Sequence, residues 1–231
     1  TSLNFPIYVV EPSMGFVAVQ IFAESQLSTV IDIDDVSIGA LLGVGGMASV
    51  FRAEWRGMEV ACKMYNLQAV ADEQLKIELD REVDLCLKLR HPNIVIVYGR
   101  SSHPLRLAIL MELFPLGSLE TLLKTRKDLD MLFKLHAALD VAAGMKFLHA
   151  NKVIHRDVKP GNVLVTCVDP KSSVVSKISD FNTSRFIGSE ELKTKTKGVG
   201  TPVFMSNEVL DCKNYSMAAD GDSFGVLLWC F

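Results

Sequence analysis

The sequence predicts an α+β fold with two lobes: a small antiparallel β lobe that carries one key helix, followed by a larger, mostly α lobe. Two observations lead to this prediction. Short apolar and β-branched segments separated by glycines fill the chain up to Glu112, whereas long segments rich in leucine and alanine follow Gly117. The 231 residues, 49% of them hydrophobic, supply enough apolar side chains for a packed core.

The first lobe is predicted to contain five strands and one helix. Alternating apolar residues and tight glycine turns place the strands at residues 36–42, 49–55, 58–64, 94–99 and 106–112. Residues 71–90 carry leucines and a valine on one face with charges between them, which is the pattern of an amphipathic helix. The lobe therefore spans about residues 36–112, and residues 1–35 are predicted to be a linker or the edge of a preceding region.

The second lobe is predicted to be helical. A connecting segment at about 112–117 leads to Ser118, which is placed as the N-cap of a short helix. A long helix follows at 130–150, and another begins near Ala219. The lobe covers residues 118–231, and the cleft between two such lobes is a favoured place for a small-molecule site.

Composition and charge narrow the function classes. The formal charge is −3, with 24 Lys and Arg against 27 Asp and Glu, and no basic, aromatic-rich patch supports nucleic-acid binding. The apolar run Met14–Ala23 is about ten residues long, too short for a transmembrane helix, which needs about 20. The five cysteines form no CxxC pair, which predicts a reducing, intracellular compartment. The alternative that the chain belongs to a membrane-anchored parent protein stays open.

A glycine-rich stretch lies between the first two predicted strands. Gly43, Gly45 and Gly46 would let a hairpin backbone lie close over phosphate groups and point its amides at them. A glycine-rich turn that serves only as a turn explains them equally well. Ala48 stands where the nucleotide-binding pattern has a third glycine, so the stretch alone leaves both interpretations open.

A lysine follows at the end of the third predicted strand. Lys63 would face the cleft, or it would simply end the strand in solvent. Glu82, within the predicted helix, could form an ion pair that orients the ammonium group toward a diphosphate. Glu78, Asp80 and Asp84 are close by and similar, so the spacing alone does not choose among these acids.

The strongest signal is the stretch HRDVKPGN, residues 155–162, which matches the pattern H-R-D-x-x-x-x-N in every fixed position. Here the chain resembles the eukaryotic protein kinases, over about residues 36–231. The segments IDDVSIG from Ile33 and WRG from Trp55, together with KISDFNTSR from Lys177, resemble most closely the tyrosine-kinase-like group of serine/threonine kinases. The resemblance implies a two-lobed kinase-like fold.

The resemblance implies catalytic roles for four residues. Asp157 would accept or orient the proton of the attacking hydroxyl group, and Lys159 would contact the transferred phosphate. Lys63 would pair with Glu82, because the phrase REV around Glu82 stands ahead of LRHPNIV as it does in kinases. These four residues would form the catalytic set.

The resemblance also implies how ATP and a metal ion are bound. The residues assigned to the nucleotide are Gly43, Gly45, Gly46, Val50, Ala61, Lys63, Met111, Glu112, Phe114 and Leu164. Adenine would bond to the backbone of Glu112 and Phe114, just past Met111 at the gatekeeper position. Val50, Ala61 and Leu164 would surround the base, but ordinary core packing explains these three apolar residues equally well. Asn162 and Asp180 would hold Mg²⁺, with Mn²⁺ as an alternative.

A threonine- and lysine-rich segment follows Asp180. The resemblance implies that an activating kinase phosphorylates Thr194 or Thr196, and that the phosphate pairs with Arg156. A solvated loop is the alternative interpretation. This segment therefore yields a hypothesis about regulation only.

Several positions depart from the kinase pattern, and these departures favour an alternative function. Asn182, Asn207 and Gly221 replace residues that the family usually has, and the resemblance stops within the second lobe, which implies an incomplete C-lobe with the apolar end 226–231 uncovered. The sequence predicts an ATP-dependent protein serine/threonine kinase of intracellular signalling, with a protein substrate. The alternative is a pseudokinase or degenerate kinase-like fragment that acts as a nucleotide- or protein-binding module.

Overall fold

The computed structural model describes residues 30–46, 48–66, 73–101, 103, 106–181, 183–186, 201–206 and 216–231. Within the first turns of the 73–88 helix, the side chains of residues 73–76, 78, 79 and 82 are not described. The predictions for Met14–Ala23, Asn182, Thr194, Thr196 and Asn207 therefore lie outside the described residues.

A six-stranded sheet and one helix form the first lobe. The strands are β1 (Val30–Ile31), β2 (Val36–Val44), β3 (Ala48–Trp55), β4 (Met58–Tyr65), β5 (Val97–Ser101) and β6 (Ala108–Glu112), and the helix is α1 (Glu73–Lys88). Their order in the sheet is β1-β5-β6-β4-β3-β2. Every neighbouring pair is antiparallel except β1 and β5, which are parallel. The predicted antiparallel β lobe with one helix is confirmed.

Three α-helices and two small strand pairs form the described part of the second lobe. The helices are α2 (Leu119–Thr125), α3 (Met131–Ala150) and α4 (Met217–Trp229). The strand pairs are β7 (Val153–Ile154) with β10 (Arg185–Phe186) and β8 (Val163–Val165) with β9 (Ser176–Ile178). The predicted cap of α2 is confirmed, because the Ser118 hydroxyl accepts a hydrogen bond from the Thr121 amide at 3.2 Å.

The fourth predicted strand begins three residues later than expected. Residues 94–96 form no strand of the main sheet: Ile94 and Val95 run beside β9 of the second lobe, and Ile96 accepts a hydrogen bond from the Glu112 amide of β6. The Val95 amide donates to the Ile178 carbonyl, and the Ile178 amide donates to the Asn93 carbonyl, both at 2.9 Å. The apolar pattern predicts an extended chain correctly here, but it does not say which lobe supplies the hydrogen-bond partner.

Residues 30–35 pack onto the first lobe. Val30 and Ile31 pair with β5, and Ile31 and Ile33 are each only 3% exposed within an outer apolar cluster that includes Trp55. Arg106 donates to the Asp34 carboxylate at 2.6 Å, which fixes this segment to the lobe. The lobe therefore includes these residues, which precede the predicted start at 36.

The main apolar core runs from one lobe into the other. Val83 of α1, Ile94, Phe133 of α3 and Ile178 of β9 are all at most 1% exposed and belong to one cluster. Leu227 of α4 is fully buried in the same cluster, whereas its neighbour Trp229 is 90% exposed. The helix end predicted to be uncovered is thus buried on one side only. Among the described helices, none is both long and apolar enough to cross a membrane.

Candidate active site

A cleft of about 640 Å³ lies between the lobes. Its walls come from the β2–β3 hairpin, β4, the end of β6, the connection at 112–117, β8 and the residues 179–181 that follow β9. The predicted site residues that line it are Gly43, Val50, Ala61, Lys63, Met111, Glu112, Phe114, Asn162, Leu164 and Asp180. The fold therefore brings together side chains that lie up to 117 residues apart in sequence, such as Lys63 and Asp180.

The glycine-rich stretch forms the tight turn between β2 and β3. The Gly45 amide donates to the Ala48 carbonyl at 2.8 Å, and a β-carbon at Gly45 would lie 3.2 Å from that oxygen. Glycine is favoured at this position because any side chain would make a tight contact with this carbonyl. Gly45 and Gly46 lie beyond the lining of the cleft, and the Asn66 side chain donates to the Gly46 carbonyl at 3.3 Å.

Lys63 and Asp180 form an ion pair within the cleft. Strand β4 alternates, so Cys62 is buried in the outer apolar cluster while Lys63 lines the cleft. The Lys63 ammonium donates to Asp180 Oδ1 at 3.1 Å. Burial opposes ionisation of Asp180, but the charge and hydrogen bond of Lys63 outweigh it, with help from His155 and Lys159, and hold the pKa of Asp180 below its ordinary value. Glu82 lies on α1, but its side chain is not described, so the predicted pair with Lys63 stays a prediction.

Asp157 is held by donors on both of its carboxylate oxygens. Its Oδ2 accepts from Lys159 Nζ at 2.6 Å and from Asn162 Nδ2 at 2.9 Å, while its Oδ1 accepts from the Thr201 amide at 2.9 Å. Lys159 also donates to the Thr201 hydroxyl at 2.6 Å. The carboxylate therefore keeps one orientation, with a cation and a hydroxyl group beside it, which is the arrangement that orienting a substrate hydroxyl requires.

A buried acid on α4 fixes the backbone that carries Asp157. Asp220 is fully buried, and its two oxygens accept from the amides of His155 and Arg156 and from His149 Nε2, at 2.8–2.9 Å. Arg156 has φ of +69°, a conformation that is unfavourable for a residue with a side chain. Burial raises the pKa of Asp220, but these hydrogen bonds and the charge of His155 hold it below its ordinary value. The ionised acid thus stabilises a strained backbone next to the candidate catalytic residue.

Two side chains in the cleft offer oxygen ligands to a metal ion. Asn162 turns its amide nitrogen to Asp157, donating to its carbonyl and its carboxylate at 2.9 Å, so its amide oxygen can serve as a ligand. The Asp180 carboxylate lines the same cleft. No group of three or more His, Cys, Asp or Glu that could hold a metal occurs among the residues the structure describes. The donor set fits an ion such as Mg²⁺, which takes one or two protein oxygens and phosphate oxygens for the rest.

Two residues of this region were missed by sequence reasoning. His149 donates to Asp220 at 2.9 Å, and Lys177 donates to both oxygens of Glu112 at 2.7 and 2.8 Å. The only signal for Lys177 is a lysine between two buried residues of a short strand, Ser176 and Ile178. His149 carries no signal, because a histidine near a helix end is common.

The sequence model of the protein kinase domain family matches residues 36–231. The chain belongs to this family. The chain is 36% identical over 89% of its length to "Probable serine/threonine-protein kinase gdt4" of Dictyostelium discoideum. It is 40% identical over 84% of its length to "Serine/threonine-protein kinase CTR1" of Arabidopsis thaliana, and 40% identical over 86% to "Probable serine/threonine-protein kinase drkC" of Dictyostelium discoideum.

The chain spans only 12%, 24% and 26% of the lengths of these three relatives, respectively. The predicted kinase fold is confirmed by the family match, and the relatives are named serine/threonine kinases, as the sequence predicts. A kinase domain uses ATP and a divalent metal ion, so these two parts of the prediction hold for the domain as a class.

Proposed function

We propose that this kinase domain transfers the γ-phosphate of ATP to serine or threonine hydroxyl groups of protein substrates. The observation that carries the proposal is the arrangement around Asp157, whose carboxylate is fixed by Lys159, Asn162 and the Thr201 amide. The Lys63–Asp180 ion pair lies in the adjoining cleft. Phosphoryl transfer needs little covalent chemistry from the protein, so positioned charges of this kind supply most of the catalysis.

Asp157 and Lys159 would handle the attacking hydroxyl group and the transferred phosphate. Asp157 would orient the substrate hydroxyl and accept its proton, because three hydrogen-bond donors hold its carboxylate in one orientation. Lys159 would place its ammonium group against the phosphate oxygens. The Thr201 hydroxyl, 2.6 Å from Lys159 Nζ, marks a position where a substrate hydroxyl of the same kind could lie.

The cleft would bind ATP through its back wall. Strand β6 leads directly into the connection at 112–117, and Ala61, Met111 and Leu164 line the cleft beside it. Adenine would lie among these apolar side chains and bond to the backbone of Glu112 and Phe114. Lys63 would contact the phosphates at the other end of the cleft.

Asn162 and Asp180 would hold Mg²⁺, or Mn²⁺ in its place. When it is bound, the ion neutralises charge on the phosphate oxygens. The low pKa of Asp180 keeps this carboxylate ionised at neutral pH, as a metal ligand must be. Lys63 would turn from Asp180 to the phosphates as nucleotide and metal enter together.

Regulation and location are parts of the same proposal. Phosphorylation of Thr194 or Thr196 by an activating kinase would place a phosphate within reach of Arg156. Arg156 is 5% exposed, and its side chain already donates to the Thr183 carbonyl in the segment that follows Asp180. The proposed setting is cytoplasmic signalling, which the scattered cysteines support.

The first experiment measures thermal unfolding of the chain with and without ATP, each with and without Mg²⁺ or Mn²⁺. Ligand at about 100 times its dissociation constant stabilises the folded state by about 2.7 kcal/mol, so the unfolding temperature should rise only when nucleotide and metal are both present. The second measures phosphate transfer to a generic protein substrate and identifies the modified residue by mass spectrometry.

The variant Asp157→Asn should lower transfer by about 10²–10⁴-fold while nucleotide binding persists. Asp169→Asn, at an exposed loop position, is the matched control and should transfer at the wild-type rate. Transfer that is equal in the two variants would refute the proposal. Stabilisation by nucleotide with no transfer in the wild type would favour the alternative, a nucleotide-binding module.

A further inference from the structure

Lys177 and Glu112 form an ion pair behind the cleft, between strands of different lobes. Lys177 lies on β9 of the second lobe, and Glu112 is the last residue of β6 in the first lobe. The ammonium donates to both carboxylate oxygens, at 2.7 and 2.8 Å. The side chains are only 13% and 24% exposed, so solvent screens this pair much less than it screens a surface ion pair.

The pair belongs to a larger joint between the lobes. Residue Ile96 lies between the two strands: its carbonyl accepts from the Glu112 amide at 2.9 Å, and its amide reaches the Glu112 carboxylate at 3.4 Å. The preceding residues, 93–95, are hydrogen-bonded to Ile178 of β9. The ion pair thus connects by side chains two strands that segment 93–96 already connects by backbone.

The same pair contacts both the hinge and the floor of the cleft. The hinge is the connection at 112–117, and Glu112 begins it. Lys177 Nζ lies 5.9 Å from the centre of the Phe114 ring, within range of a cation–π interaction, and Lys177 pairs in the β8–β9 ladder with Leu164. The Lys177 ammonium group therefore interacts with two residues of the hinge, Glu112 and Phe114. Its strand pairs with β8, which carries Leu164 at the floor of the cleft.

We propose that Lys177 and Glu112 are positioning residues that clamp the hinge to the second lobe and thereby set the affinity for nucleotide. The effect on nucleotide affinity rests on the proposed function, since it takes the cleft to be the ATP site. Without the clamp, the hinge backbone would sample orientations in which Glu112 and Phe114 do not face the base. Nucleotide binding would then have to restrict this motion, and its affinity would fall.

The test uses variants that remove the charge at nearly constant size. Lys177→Met and Glu112→Gln should each raise the dissociation constant of ADP with Mg²⁺ by about 10-fold, which is the scale of coupling between groups in direct contact. The double variant should bind about as weakly as either single one. Lys177→Arg, which can still bind both oxygens, should restore affinity to within about threefold of the wild type. The value of kcat should change less than KM for ATP.

A second measurement tests the clamp without nucleotide. Amide hydrogen exchange in the hinge, at residues 113, 114, 116 and 117, should be faster in Lys177→Met than in the wild type, while the core of α3 keeps its protection. Lys124→Met is the matched control, because Lys124 pairs with Glu120 at 2.6 Å on the surface of α2. That variant should leave both hinge exchange and nucleotide affinity unchanged.

The outcomes separate the two proposals. Unchanged hinge exchange in both Lys177→Met and Glu112→Gln would overturn the clamp. Faster hinge exchange with unchanged affinity would overturn its role in nucleotide binding. Faster hinge exchange in the two variants, together with a wild-type chain that binds no nucleotide, would support the clamp and defeat the proposed function. If Lys177→Met does not fold, hinge exchange and nucleotide affinity are measured on Glu112→Gln instead, because the glutamine amide oxygen still accepts a hydrogen bond.

Discussion

Replacing Asp220 with asparagine tests the support beneath the candidate catalytic residue. The carboxylate accepts hydrogen bonds from two buried amides and from His149 at 2.8–2.9 Å, and it is fully buried. Asparagine keeps one oxygen and turns an NH₂ group toward a donor, so at least one buried amide loses its acceptor. Each such loss costs about 1–3 kcal/mol, and disruption of a buried charged network costs about 3–5 kcal/mol.

We therefore expect Asp220→Asn to lower the unfolding temperature by about 6–20 °C at pH 7, because 1 kcal/mol shifts a domain of this size by about 2–4 °C. Circular dichroism during heating measures this shift. Phosphate transfer should fall as well, because Arg156, with φ of +69°, loses the hydrogen bond at its amide. Asp222→Asn, two residues on and exposed on the same helix, is the control and should change stability by at most about 0.5 kcal/mol.

The stability difference between the wild type and Asp220→Asn should depend on pH. The pKa of Asp220 is lowered in the folded chain, so its stabilisation is fully present above the ordinary value of about 4 and is lost as the pH falls through the folded value. The difference between the wild type and Asp220→Asn should therefore shrink below about pH 4. Equal unfolding temperatures for the Asp220 and Asp222 variants at pH 7, or a difference that stays constant to pH 3, would refute the reasoning.

Two further predictions concern packing and thiol chemistry. A β-carbon at Gly144 would lie 2.8 Å from Ile178 Cδ1 and 3.0 Å from the Asn93 carbonyl oxygen. Gly144→Ala should therefore lower the free energy of unfolding, measured by urea denaturation, by about 1–2 kcal/mol, despite a gain of about 1 kcal/mol in helix propensity. Gly221→Ala, where a β-carbon meets nothing within 4 Å, should instead stabilise by up to about 1 kcal/mol; the same sign for both would contradict the packing argument. Burial raises the pKa of Cys62 to about 11, so iodoacetamide at pH 8 should label exposed Cys230 well before Cys62, and equal rates by mass spectrometry would disprove this.

The local features of the chain could be predicted from short stretches of sequence. Strands β2, β3 and β4 follow from alternation and glycine turns, and the start of α2 follows from Ser118, because caps and periodicity act over only a few residues. The HRDVKPGN stretch pointed to the kinase family for a similar reason: its spacing is set within one loop. Its Asp157, Lys159 and Asn162 do lie together in the structure.

Other features depended on contacts between distant parts of the chain. Residues 94 and 95 are predicted to belong to a strand of the first lobe, yet they run beside β9, because an extended segment bonds to whichever strand the fold brings beside it. The sequence predicts a linker or the edge of a preceding region at Val30 and Ile31, whereas in the structure they pair with β5, about 70 residues further along the chain. A short apolar pair carries too little pattern to predict such an addition.

Local periodicity and the spacing of residues within one loop were enough to predict most of the helices and strands, the kinase family and the residues around Asp157. The contacts of His149 with Asp220, 71 residues away, and of Lys177 with Glu112, 65 residues away, became visible only in the folded structure. A lysine or an aspartate is solvated in most positions, so its type does not reveal a buried partner. Folding supplies that partner when it removes both groups from water, and the pairing then becomes essential because an unpaired buried charge is so unfavourable.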